Sequence, residues 1–97
     1  MDYSKINIIE ICNAFSEYST ATEEQVDNEL KAIPQYEVQR LGKMVKQVTI
    51  SQGKACSEKQ FMQNLAEISY IALREGISPP VLYLIAIIEA KNNENKE

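Results

Sequence analysis

Residues 76–90 read GISPPVLYLIAIIEA, and this stretch decides how the rest of the chain must fold. Gly76 followed by Ile77 is the expected end of one helix, a glycine able to adopt positive φ and then an apolar residue that packs back. Ser78 is a helix cap, and Pro79 and Pro80 suit a first turn, where a missing N–H leaves no bond unmade. From Val81 to Ala90 the helix is apolar all round apart from Tyr83 and Glu89. Burying a side chain such as Leu82, Leu84, Ile85 or Ile88 is worth about 1.5–3 kcal/mol, against about 1–2 kcal/mol to order each residue's backbone. Such a helix is stable only when most of its circumference is covered. It is therefore either the central rod of a bundle or one side of an interface with a second copy or a partner. The central rod is favoured, because the remaining sequence supplies four amphipathic helices to wrap it.

Working backwards, Ser57 and Gln60 have the spacing of a capping box that opens a fourth helix, and Phe61, Leu65, Ile68 and Ala72 line one of its faces. Gly53 and its polar neighbours mark a loop. A third helix is expected from about Gln35 to Ser51, entered through Pro34, with Val38, Leu41, Val45 and Val48 as its seam. Thr22 and Gln25 form another capping-box pair, opening a short second helix with Val26, Leu30 and Ile33 on its apolar edge. The first helix is expected over Tyr3–Tyr18, burying Ile8, Ile11, Cys12 and Phe15. The fold class is thus all-α: a compact bundle of about five short helices in one domain, residues 1–91, followed by a frayed polar tail at 92–97.

Composition agrees with a folded chain. Ninety-seven residues, 44% hydrophobic and 25% charged, lie near the globular average and need no metal or disulfide staple. The opening MDYSKINIIE lacks the basic segment and uninterrupted apolar run of a secretory signal, and the run from Val81 to Ile88 is too short to cross a bilayer. A soluble cytoplasmic protein is expected. In a reducing compartment, Cys12 and Cys56 are expected to remain thiols, Cys12 as a small core residue and Cys56 in an exposed loop.

The residues argue against catalysis. With no histidine in the chain, the commonest general base and the commonest metal ligand are both missing. Gly42, Gly53 and Gly76 are too far apart to form a phosphate-cradling loop. Glu23, Glu24 and Asp27 cluster in the first turn of the second helix, where the helix dipole favours negative charge without any acid–base or cation-binding role. The expectation is a protein with no enzymatic activity, cofactor or metal.

Charge layout carries more information. The net charge is −4, but residues 1–33 hold seven acids and two lysines, whereas residues 34–60 hold two acids and five bases. On the third helix Tyr36, Gln39, Arg40, Lys43, Lys46 and Gln47 all project opposite the apolar seam, a basic, amide-rich strip with one aromatic. It reads as a binding face or as an ordinary hydrated surface. Tyr70, Ile71 and Tyr83 form a second candidate interface. The leading functional reading is a small protein-binding adaptor, inhibitor or regulator acting through a helical surface, with a protein partner or a homodimer. The alternative is a small dimeric nucleic-acid-binding regulator that uses the basic strip, a reading opposed by the net charge and by the lack of a helix-turn-helix signature.

Overall fold

The computed structural model describes residues 8–16, 20–45 and 58–94, with the side chains of the last stretch described over residues 59–89. Five helices run in chain order: α1 (Ile8–Ala14), α2 (Glu23–Ala32), α3 (Gln35–Met44), α4 (Glu58–Glu75) and α5 (Pro79–Glu94). No strand occurs among the described residues. The all-α bundle expected from the periodicity is the fold observed.

Helix α5 is the rod. Val81, Leu82, Leu84 and Ile85 are completely buried and Ala86, Ile87 and Ile88 nearly so. Helices α1, α2, α3 and α4 all pack against it, α3 most extensively, and apart from the α1–α2 pairing each substantial helix pairing involves α5. The wrapping helices supply Ile11 and Phe15, Val26 and Leu30, Val38, Leu41 and Val45, and Leu65, Ile68 and Ala72. These are the stripes that helical spacing picks out. Phe15 meets the ring of Tyr83 edge-on, centroids 5.6 Å apart, so Tyr83 belongs to the packing around the rod.

The punctuation works as local chemistry dictates. The Thr22 hydroxyl accepts the Gln25 N–H at 3.2 Å while the Gln25 side chain accepts the Thr22 N–H at 2.9 Å, a closed capping box. At the end of α4, Gly76 has φ +76°. The Ile77 N–H then reaches back to the Ala72 carbonyl at 3.0 Å and the Gly76 N–H to that of Leu73 at 3.3 Å, the paired bonds of a Schellman ending. The chain bends by 111° between α4 and α5 at this corner. Ser78 does more than start α5: its N–H and its hydroxyl both donate to the Glu29 carboxylate, at 2.9 and 2.8 Å. A side chain from α2 thereby fastens the entry to the rod.

Three boundaries differ from expectation. Helix α3 ends at Met44, with Val45 as its C-cap at φ −105°, ψ 8°, rather than continuing to Ser51. The buried Val45 still closes the seam from outside the helix, while Val48 lies outside the described residues. Helix α5 runs past Lys91 to Glu94, whereas the polar tail is expected from 92. Helix α1 ends at Ala14, with Phe15 and Ser16 in a turn rather than in helix to Tyr18; residues 3–7, 17 and 18 of its expected span, like Gly53, Cys56 and Ser57, fall outside the described residues.

The crossing of α3 on α5 requires a glycine. A Cβ added at Gly42 would lie 2.8 Å from both Cβ and Cγ of Glu89, closer than carbon atoms approach. The two backbones therefore pack at a distance that only a residue without a side chain permits.

Candidate interaction surfaces

The basic strip falls in part within the described residues. Tyr36, Gln39, Arg40 and Lys43 are all exposed on α3, and Tyr36 is 69% exposed. Lys46 and Gln47 lie outside the described residues, beyond the point where α3 ends. Arg40 is already engaged. Its Nε and Nη2 donate to the two oxygens of Glu37 at 2.8 Å each, and Nη2 also reaches Glu75 Oε1 at 3.0 Å. The same guanidinium approaches the Met44 sulfur at 3.5 Å. Hydrogen bonding by Arg40 holds the Glu37 carboxyl below its ordinary range. The two carboxylates in turn raise the Arg40 guanidinium above its usual value, Glu37 contributing most. Arg40 therefore ties α3 to the last turn of α4, and much of its charge is spent within the molecule.

Tyr70, Ile71 and Tyr83 differ in their exposure. Tyr83 packs on Phe15 and Ile71 packs partly against the core, whereas Tyr70 is 69% exposed. The exposed side of α4 gathers other residues instead. Leu73 is 71% exposed and Met62 42%, and Ala66 between them is exposed as well. At about 100° per residue, Met62, Ala66, Tyr70 and Leu73 fall within about 80° of arc. They form a second apolar stripe on α4, turned away from the one built by Leu65, Ile68 and Ala72. Arg74 stands over the Tyr70 ring, 6.0 Å from its centroid, within cation–π range. Lys59 is exposed near the other end of the stripe and Glu67 beside its middle. Spacings of four, four and three residues would have revealed this stripe in the sequence. Attention to the core-facing series, which is equally regular, hid it.

The remaining features are modest. An open hollow of about 360 Å³ lies between α1 and the start of α2, lined by Ile9, Cys12 and Glu23 among others. Burial, and secondarily the charge of Glu23, pushes the Cys12 thiol up, away from the thiolate that nucleophilic chemistry requires; Cys12 is a free cysteine. A neighbouring polar hollow of about 440 Å³ is lined by Thr20, Asn28, Glu29 and Ser78. Among the acids of α2, Asp27 is paired with Lys31 at 2.9 Å. No group of three or more metal-ligating side chains converges among the described residues, and no single described helix is long and apolar enough to cross a membrane. Compared with known proteins, the chain matches no family model, no curated protein and no solved structure.

Proposed function

We propose that this chain is a non-enzymatic adaptor or regulator that binds a protein partner through the outer face of α4. The observation that carries this reading is the exposure of Met62, Ala66, Tyr70 and Leu73 along one arc of a helix whose opposite face already completes the core. The fold gains nothing from leaving Leu73 and Tyr70 in water. Aligned apolar and aromatic side chains on a rigid helix are what a partner helix or groove engages. The alternative, nucleic-acid binding by α3, has less support: Arg40 is held by Glu37 and Glu75, and the net charge is −4.

The test is affinity capture from extracts of the source cell with the parent chain and with a Tyr70→Glu/Leu73→Glu variant, both checked by circular dichroism for an unchanged helical spectrum. A protein recovered in stoichiometric amount by the parent and lost from the variant is the expected outcome. Equal recovery by both chains would remove α4 from the reading. Retention of random duplex DNA by the parent, with salt-dependent affinity, would favour the alternative.

A further inference from the structure

We infer that the occupant of the α4 stripe is an amphipathic helix of another protein, carrying a carboxylate near each end of its apolar face. This rests on the reading of α4 as the binding face and adds the chemistry of the partner. The shape argument comes first. The stripe repeats every three to four residues along a single 18-residue helix, the periodicity that a second helix matches by setting its own side chains between those of the first. From Lys59 to Arg74 the face is about 22 Å long, at about 1.5 Å per residue, so about fifteen residues of partner helix would cover it.

Charge then separates the candidate occupants. Among the described side chains, the face presents a base near each end, Lys59 and Arg74, and one acid, Glu67, near the middle, all three exposed. A second copy of this chain fits that pattern badly. In an antiparallel two-fold pairing centred on Ala66, which sets Met62 against Tyr70 of the second copy, Lys59 falls beside Arg74 of the second copy at each end. The two Glu67 side chains then stand near the axis. In a parallel pairing every charge meets its own counterpart. A foreign helix with acids about fifteen residues apart satisfies both basic ends, and apolar residues between them cover Met62, Tyr70 and Leu73. Pairs of this kind at the rim act mainly on selectivity and association rate, while the apolar stripe supplies most of the affinity.

The experiment uses a displayed library of 18-residue amphipathic helices with a fixed leucine stripe and with Glu, Gln or Lys varied at the first and last turns. It is selected on the full-length chain, on Lys59→Glu/Arg74→Glu and on Tyr70→Glu/Leu73→Glu. On the parent, Glu-ended helices should be enriched over Lys-ended ones by about tenfold or more, and the preference should invert on the charge-reversed variant. Equal enrichment of Glu- and Lys-ended helices that Tyr70→Glu/Leu73→Glu fails to retain would overturn the charge inference while leaving α4 as the binding face. Retention by Tyr70→Glu/Leu73→Glu equal to the parent's, or by none of the chains, would remove the binding face itself and the inference with it. Sedimentation showing a concentration-dependent dimer of the parent that Leu73→Glu abolishes would overturn the inference in favour of a second copy.

Discussion

Helices α4 and α5 are neighbours of similar length, 18 and 16 residues, and both are rich in apolar side chains, yet the fold uses them differently. Around α5 the side chains from Val81 to Ile88 are buried almost without exception, Tyr83 being the one left half-exposed. Around α4 the buried face is made by Leu65, Ile68 and Ala72 with the polar Asn64 and Ser69 at its edges, while Leu73 and Tyr70 stand in water. An apolar residue on α5 is accounted for by the fold, and one on the outer arc of α4 is not. Function is therefore better sought on the helix that is incompletely covered than on the one that is most hydrophobic.

The comparison is broken most directly by placing the same charge on each helix. Ile85→Asp puts a carboxylate where the side chain has no exposure at all. An unpaired buried charge costs about 3–5 kcal/mol, a large part of the roughly 5–15 kcal/mol that a domain possesses. Loss of the cooperative thermal transition is expected. Leu73→Asp should change stability by no more than about 1 kcal/mol, as exposed substitutions usually do. Equal destabilisation of the two variants in urea titrations would show that α4 is covered and the contrast mistaken.

An intermediate effect is expected where α3 crosses the rod. Gly42→Ala improves helix propensity by about 1 kcal/mol but drives a methyl group against Glu89, and overpacking of this kind costs about 1–3 kcal/mol. The net expectation is a lower melting temperature. A melting temperature above the parent's would mean that α3 can move off α5 at little cost.

The smallest effect concerns Arg40. Glu37 has its folded pKa depressed, so its favourable contribution is present above the ordinary glutamate value of about 4.3 and is lost as pH falls through the lower, folded value. Carbon-detected NMR titration should place the Glu37 midpoint below that of an ordinary glutamate, and Arg40→Gln should return it to the ordinary range with little change in melting temperature. A midpoint unmoved by Arg40→Gln would show that the link from α3 to α4 does not persist in solution.

The sequence was legible wherever structure is local. Thr22 with Gln25, and Gly76 with Ile77, form bonds within one helical turn, so the residues that make the structure stand next to one another in the text. The buried stripes were legible for the same reason, and four of them around an apolar rod leave few arrangements open. What escaped is pairwise and distant. Nothing near Arg40 announces Glu75, 35 positions away, or near Ser78 announces Glu29, 49 positions away. Gly42 looks like a helix-weakening residue until Glu89 is seen against it. Helical projection placed Tyr36, Gln39, Arg40 and Lys43 on one face, and all four are exposed, but projection cannot show that Arg40 is already bonded. Tyr70 was named together with Ile71 and Tyr83, whereas its neighbours along the exposed arc are Ala66 and Leu73.

The placement of the rod also has a consequence for synthesis. On the ribosome, α1 to α4 emerge before α5, and α5 is the element against which all four are packed. Until residues 79–88 leave the exit tunnel, the stripes of α3 and α4 have no principal surface on which to close, and α1 and α2 have only each other. Assembly must therefore be concerted and late, with the carboxylate of Glu29, made early, waiting for Ser78 to arrive. A ribosome stalled before α5 would hold a chain of exposed apolar stripes, the state in which nascent chains depend most on chaperones.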